Sequence, residues 1–495
     1  MVNKLIFKTF HTIHLMSSDV IVGSILRSNL GSIKRNIMPN SKIESRQTTK
    51  FFFKYFVRLK IFHIFAENIR GMKYKIRIAD QLLADKLDAM GAVLIEGPKA
   101  CGKTTTAEQH AKSILYMTDP LKKEQYKQMA QTNIKYLLEG EKPRLIDEWQ
   151  GVPQFWDAIR FEVDHSDGDG LYMLTGSAVP ANSEKIEHTG TGRYGWLTMR
   201  PMSLWESEES NGEISLSTLF ESSESIGATN PMTLESLAFA ICRGGWPKSL
   251  QKKTEKAALM QVKEYFKAIC NNDISRADGV SRNSERTKRL MRSYAIHQGA
   301  QASIPTILAD IATNETDDLS DETVASYLSA LRKIFVIEDM PAWNPNLRSK
   351  TAIRTSDTRY YVDPSIAVAA LGLGPNDLIN DLNTFGLFFE TLCVRDLRVY
   401  ADALDGTVYH YRDKNGLECD AVIHLDNGSY GLIEVKLGGD KLIEEGATTL
   451  NALEAIIDTT KMKNPSFKMV LIGVGEFAYK RTDGVYVVPI GCLRP

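Results

Sequence analysis

Residues 91–106 read Gly91-Ala92-Val93-Leu94-Ile95-Glu96-Gly97-Pro98-Lys99-Ala100-Cys101-Gly102-Lys103-Thr104-Thr105-Thr106. The apolar run Ala92 to Ile95 has the length and β-propensity of a buried strand. It feeds into Gly97 to Thr104, which fits the pattern G-x-x-x-x-G-K-[ST]. That spacing has a chemical reason. Two glycines let backbone N–H groups curl around a polyphosphate, Lys103 reaches its β- and γ-phosphates, and the Thr104 hydroxyl ligates Mg²⁺. A helix predicted from Thr105 to about Leu115 would point its positive end at the same anion. An ordinary glycine turn is the competing reading; a strand before it and a helix after it argue against that. The stretch therefore predicts a site for ATP or GTP with Mg²⁺, contacted by Gly97, Pro98, Lys99, Ala100, Cys101, Gly102, Lys103, Thr104 and Thr105.

The remaining chain is long enough for several cores. With 495 residues, three or four domains are expected, and 43% hydrophobic with 24% charged residues is ordinary for a soluble protein. Six cysteines, at positions 101, 242, 270, 393, 419 and 492, include no C-x-x-C pair. This argues against a disulfide scaffold or zinc site and suits a reducing cytoplasm. Cys101, inside the loop, is expected only to fill space.

The net charge of −1 conceals an asymmetry: residues 1–71 hold 12 Lys+Arg against 3 Asp+Glu, so the remainder is net acidic. The body of the protein thus lacks the bulk basic signature of a nucleic-acid binder, and such binding would need a local patch. Within the basic stretch, Phe51 to Phe65 is apolar but broken by Lys54, Arg58, Lys60 and His63. No run spans a bilayer, and no signal-peptide pattern is evident. An organelle-type presequence, a basic segment lying on a membrane surface, and a stretch outside the functional protein all remain open. Patterned sequence begins at Met72, which favours initiation there or a dispensable disordered arm over 1–71.

From Met72 to about residue 205, short apolar strands alternate with helices, as a parallel α/β sheet requires. A helix is predicted over 79–89, and strands at 113–117, 143–148, 170–177 and 196–199. The second of these strands ends in Asp147-Glu148. An acid ending a strand beside a phosphate loop holds the Mg²⁺ shell, a role for Asp147, and the next acid, Glu148, can serve as general base. Most such pairs are merely solvated loop charges; the apolar strand before this one favours function. Thr175 and Ser177 end a strand expected between the other two, so a hydroxyl there would sense the γ-phosphate, or simply form a turn.

The ordered set of phosphate loop, Leu145-Ile146-Asp147-Glu148-Trp149-Gln150, Leu174-Thr175-Gly176-Ser177-Ala178, Thr191-Gly192-Arg193-Tyr194-Gly195 and Met199 to Glu206 resembles prokaryotic AAA-superfamily ATPases. The resemblance is to the group fused to a C-terminal domain of unknown function with a restriction-endonuclease-like fold, and it covers about 72–490. It implies ATP rather than GTP. Members of the group start close to what is here Met72. In ring-forming ATPases the region of Arg193 donates an arginine finger to a neighbour's γ-phosphate, implying a homo-oligomer; a solvent-facing arginine in a glycine loop is the plainer reading.

Glu206–Asn230 is rich in Ser and Glu and is expected to be a flexible surface link. The resemblance places the next region, 226–285, in a helical lid. Arg243, ending a helix there, could contact nucleotide but more simply ends its helix. Residues 286–372 look like a winged helix, with amphipathic helices at 304–311 and 321–334 and a hairpin carrying Arg348, Lys350, Arg354 and Arg359. Helix 321–334 could read DNA in the major groove with the basic hairpin on phosphates, or the fold could be a protein–protein spacer. Its two bases, Arg332 and Lys333, are balanced by Asp321 and Glu322, which favours the spacer.

The C-terminal part holds a second constellation. A helix over 385–399 contains Glu390, and strands follow at 407–412, 418–423 and 431–436. Period-two alternation puts Glu434 and Lys436 on one face of the last. Asp420 and Glu434 could together hold Mg²⁺, with Lys436 orienting water against a phosphodiester and Glu390 adding a carboxylate. The D…E-x-K order resembles restriction-endonuclease-type nucleases, although such folds also serve as silent binding modules.

The expected architecture is α/β: a basic extension (1–71), an AAA-type P-loop core with a parallel sheet (72–225), a helical lid (226–285), a winged helix (286–372) and a restriction-endonuclease-like domain (373–495). The expected function is a cytoplasmic ATPase whose cycle is coupled to a nuclease-like domain acting on DNA or RNA. The alternative is an ATP-dependent switch that binds protein partners with its C-terminal acids silent.

Overall fold

The computed structural model describes residues 74–176, 189–222, 224–312, 320–344 and 356–495. Helix α1 (Ile78–Ala89) starts where the Arg77 N–H donates to the Asp80 carboxylate, and it buries Ala79, Leu83 and Leu87, one face at a four-residue spacing. The stretch that opens the fold then forms β1 (Ala92–Glu96) and α2 (Lys103–His110). The helix stops short of Leu115, because Ala111 is extended and β2 (Ser113–Tyr116) begins directly after it.

Helix α3 (Lys123–Asn133), β3 (Arg144–Asp147), α4 (Phe155–Asp164), β4 (Tyr172–Gly176) and β5 (Tyr194–Thr198) complete the first sheet. Its order is β2-β3-β4-β1-β5, with every pair parallel. Strand β1 alternates its apolar load: Val93 and Ile95 join the main core, while Ala92 and Leu94 join the cluster on the other face with Ile146, Trp156 and Tyr172. Because β4 lies between β1 and β3, the carboxyl ends of all three meet the phosphate loop, as open α/β sheets arrange their ligand sites.

Residues 206–230 differ from the flexible link their composition predicts. Strand β6 (Ile214–Ser215) pairs in parallel with β14 (Leu493–Arg494) at the chain end, and β7 (Ala228–Thr229) pairs antiparallel with β12 (Phe477–Lys480). Its first serines face the interior: the Ser210 hydroxyl donates to the Leu493 carbonyl, and Ser207, Ser210 and Ser215 are buried. Polar side chains that satisfy buried backbone groups stitch this segment to the C-terminal domain.

Helices α5 (Leu234–Arg243), α6 (Glu255–Ala268), α7 (Ser284–Ile296), α8 (Ile304–Ala312) and α9 (Asp321–Lys333) follow. Helix α9 buries Val324, Leu328 and Leu331, three of the apolar set its sequence marks, and is capped by Ser320. Antiparallel bridges Ile337–Tyr361 and Met340–Thr358 come next. Arg348, Lys350 and Arg354 lie outside the described residues.

After α10 (Pro364–Leu371), the 21-residue α11 (Leu382–Asp402) leads into β8 (Gly406–Arg412), β9 (Glu418–Leu425) and β10 (Tyr430–Lys436). Then come α12 (Asp440–Ile456), β11 (Phe467–Ile472), β12 and β13 (Tyr486–Pro489), in a sheet ordered β7-β12-β13-β11-β10-β9-β8. One apolar cluster runs from Ala79 on α1 through Phe388 on α11 to Leu493, so the modules share a core rather than forming beads on a string. No helix of the described residues is long and apolar enough to cross a membrane.

Candidate functional sites

The phosphate loop has the backbone its sequence requires. Gly97 and Gly102 adopt φ of 143° and 112°, and Ala100 also sits at positive φ. A Cβ on Gly97 would lie 2.1 Å from the Met199 carbonyl oxygen, so no side chain fits there. The Lys103 ammonium donates to the Gly97 and Pro98 carbonyls of the loop, 2.8 Å each. Cys101 is fully buried, as expected of a space-filler.

Around the loop, the start of α2 and the end of β4 meet one carboxylate oxygen at the end of β3. The Thr104 hydroxyl donates to Oδ1 of Asp147 at 2.7 Å, and the Thr175 hydroxyl donates to the same oxygen at 2.8 Å. A hydroxyl and a carboxylate side by side are the hard oxygen ligands that suit Mg²⁺ alongside waters and phosphate. Glu148 sits at φ 57°, a conformation that costs an L-residue on the order of 1 kcal/mol, and its carboxylate accepts from the Gln150 amide. Ser177 lies outside the described residues.

Segments from both sides of the core reach the loop. Lys99 pairs with Asp273 at 2.5 Å, and Arg77 donates to the Cys101 carbonyl at 2.9 Å. Arg243 is committed to structure: its guanidinium grips the Glu209 carboxylate at 2.6 and 2.8 Å, beside the turn at Gly244. Arg193 precedes β5, whose start aligns with the start of β1, so it stands at the end of the sheet opposite the loop. It pairs with Asp164 at 2.7 Å and cannot serve its own nucleotide.

In the C-terminal domain the structure brings Asp420, Glu434 and Lys436 together on adjacent strands. Lys436 lies 2.6 Å from Glu434 and 3.4 Å from Asp420, whose other contact is the Val435 N–H at 2.7 Å. Burial, then the Asp420 charge, push the Glu434 carboxyl above the ordinary carboxylate range, and Lys436 only partly offsets this. Burial works to lower the Lys436 pKa, but the two acids outweigh it and keep the ammonium protonated.

Glu390 reaches the same locality from α11. It lines a polar cavity of about 30 Å³ with Asp420, Gln301 and Tyr360, and burial raises its carboxyl above the ordinary range. Among the described residues no group of three His, Cys, Asp or Glu gathers at metal-binding distance. A cation there would rest on Asp420 and Glu434, with Lys436 displaced from between them, and on water.

Sequence patterns do not flag several residues that shape these sites. Asp273, Arg77 and Tyr360 belong to no motif, and each is brought in across more than 20 positions of chain. Gly299 is a case with a local signal only in hindsight: it sits at φ 67°, and a Cβ there would lie 2.6 Å from a Glu390 oxygen. Arg332 at the end of α9 and Arg359 of the hairpin both pair with Asp339.

Residues 90–208 match the family described as an AAA domain, residues 234–377 match a domain of unknown function (DUF8612), and residues 385–493 match another (DUF4143). With the loop and sheet order, the first match defines an AAA-superfamily, ATP-binding P-loop module. Among solved structures the chain is similar to a Walker-type ATPase of Pyrococcus abyssi, at 14% identity over 59% of this chain and 94% of that one, with a TM-score of 0.37. It is also similar to the ORC1 protein of Aeropyrum pernix in complex with DNA, at 13% identity over 61% and 93%, with a TM-score of 0.22. Likenesses this weak carry no argument. No curated protein matches the chain.

Proposed function

We propose that the protein hydrolyses ATP and couples that cycle to a nuclease-like C-terminal domain acting on nucleic acid. The observation that carries the ATPase half is the meeting of Thr104 and Thr175 on Asp147 beside Lys103. Bound Mg²⁺ would supply charge neutralisation of the phosphates, held by Thr104 and Asp147. Lys103 steadies the β- and γ-phosphates. Glu148 takes a proton from the attacking water as its oxygen bonds to the γ-phosphorus, while the bond to the β–γ bridging oxygen breaks and ADP departs. Arg193, being far from its own loop, would act only on a neighbouring copy in a homo-oligomer.

For the second half, support comes from Lys436 lying 2.6 Å from Glu434 and 3.4 Å from Asp420, on neighbouring strands of a helix-strand-strand-strand unit. Lys436 would orient the water that attacks a phosphodiester, and a cation held by Asp420 and Glu434 would neutralise developing charge. The order of helices α7 to α9 and the paired bridges favours a winged-helix reading of 286–372. A second reading, a protein-binding switch in the cytoplasm, is favoured by the pairing of Arg332 and Arg359 with Asp339, which leaves α9 poor in bases for phosphates.

The test is ATP turnover by the full chain with and without DNA and RNA, scoring the nucleic acid for Mg²⁺-dependent cuts. Cuts that vanish in Asp420→Ala and Lys436→Ala support the coupled nuclease. Turnover indifferent to nucleic acid, with no cuts in any form of it, moves the assignment to the protein-binding switch.

A further inference from the structure

Between the phosphate loop and the C-terminal acids runs an unbroken line of polar contacts. Arg77 donates Nη1 to the Cys101 carbonyl in the loop and Nη2 to the Arg200 carbonyl, 2.9 Å each. The Arg200 guanidinium clasps Glu338 at 2.7 and 2.9 Å and reaches Asp402 at 2.6 Å. The Glu338 N–H donates to the Tyr360 carbonyl at 2.9 Å, and its carboxylate lies 3.7 Å from Arg398, whose guanidinium stands over the Tyr360 ring. Finally the Tyr360 hydroxyl donates to Oε1 of Glu390.

We propose that Tyr360 is a positioning residue for the Glu390 carboxylate, and that through Glu338 and Arg200 it reports the nucleotide state of the loop to the acid site. The proposal deepens the function given above and rests on it for the chemistry of the C-terminal acids.

Three physical features favour transmission over simple adhesion. The line is largely shielded from water: Tyr360 is 1% exposed, Arg77 and Arg398 are buried, and only the Glu338 and Asp402 carboxylates are partly open to solvent, so its buried contacts are held in discrete geometries. Helix α11 is a rigid rod that carries Glu390, Arg398 and Asp402 at spacings of about two turns and one turn, so a shift at Arg200 is felt at both ends. At the other end, the loop carbonyls gripped by Arg77 and Lys103 belong to the segment that must rearrange when phosphate displaces the Lys103 ammonium. Tyr360 itself lies outside the 385–493 domain, so the acid site is completed by a segment from another part of the chain. Spatial continuity alone is not coupling, and the experiment therefore reads coupling directly.

The measurement is hydrogen–deuterium exchange of the full chain with and without ATP and Mg²⁺, following peptides over 356–363 and 385–393. In the wild type, nucleotide is expected to change exchange at 385–393 by about fivefold or more, the lower range of allosteric coupling. Tyr360→Phe keeps the ring and removes the hydroxyl; it should bind ATP normally yet lose the response at 385–393 while keeping the one at the loop. Glu338→Gln provides the same reading one link earlier, should Tyr360→Phe fold poorly. A response at 385–393 that persists in both variants, or that is absent in the wild type, overturns the proposal. Cleavage is scored in parallel: if the wild type cuts no nucleic acid, the nuclease reading falls while the exchange data still decide the link. Cleavage without an exchange response sinks the link alone.

Discussion

The Thr104 hydroxyl and the Asp147 carboxylate meet at 2.7 Å, joining the start of α2 to the end of β3. The two residues lie 43 positions apart, and the contact exists because β4 separates β1 from β3 and draws both strand ends to one place. On the proposed function, the pair that would hold a hydrated magnesium ion stands together before nucleotide arrives, which would lower the ordering cost of binding.

Removing the lysine is expected to remove the ligand. Lys103→Ala should weaken ATP binding by at least about tenfold, the equivalent of one charge-assisted hydrogen bond of about 1.5–3 kcal/mol. Asp147→Asn should instead lose the Mg²⁺ dependence of that binding. Titration of a fluorescent ATP analogue, with and without Mg²⁺, separates the two effects.

Glu148→Gln retains size and hydrogen bonding but cannot accept a proton. Turnover should fall by about 10²–10⁴-fold with ATP affinity preserved, the range assigned to general base catalysis. Filter retention of unhydrolysed nucleotide would show the trapped state; normal turnover in this variant would remove Glu148 from the mechanism.

Arg193 pairs with Asp164 at the far end of the sheet, so any catalytic effect must be intermolecular. Specific ATPase activity of the wild type should rise with protein concentration, and Arg193→Ala should abolish that rise, on the order of 10³-fold at saturation. Equal activity in the two proteins at every concentration would leave Arg193 with its ion pair alone.

Glu338 provides a pH signature for the junction. Burial works against its charge, but Arg200 and Arg398 outweigh burial and hold its carboxyl down at about 2. The unfolded chain titrates near 4.3, so this group stabilises the fold fully above that pH and loses its contribution as pH falls toward 2. The melting temperature of Glu338→Gln should therefore lie below the wild type at pH 7, by about 2–4 °C for each kcal/mol lost. The gap should close on acidification below pH 4; a gap independent of pH would refute the assignment.

Asp363 is fully buried, accepting from Arg395 at 2.9 Å, from the Gly245 N–H at 2.9 Å and from Ser365. Asp363→Ala removes one of the two carboxylates that hold the buried Arg395, leaving Asp396 at 2.7 Å as the other; breaking a buried pair costs up to about 3–5 kcal/mol. Thermal melting should show a large drop, whereas Asp363→Asn, whose one amide oxygen can keep the bonds made by one of the two carboxylate oxygens, should lose less.

Much of the first module was legible because its signals are local. The apolar run before Gly97, the glycines within the loop and the acids ending Arg144–Asp147 are consecutive residues whose backbone and chemistry follow from their own identities. The alternation that sets Glu434 and Lys436 on one face of β10 is likewise a two-residue period, and the structure places them 2.6 Å apart at their charged ends.

Sequence by itself therefore determined the loop, the strands around it and the order of acids in the C-terminal domain, since these depend on neighbours in the chain. Only the tertiary structure decided that 206–222 and 228–230 are tied down, because Ser210 and the short strands find partners some 250 positions away, which composition cannot reveal. It alone seated Arg77 on the loop, aimed Tyr360 at Glu390 and sent Arg193 to the opposite end of the sheet. Those placements arise from packing α11 and the two sheets around one shared core, where burial strengthens a charged contact between residues that no sequence motif connects.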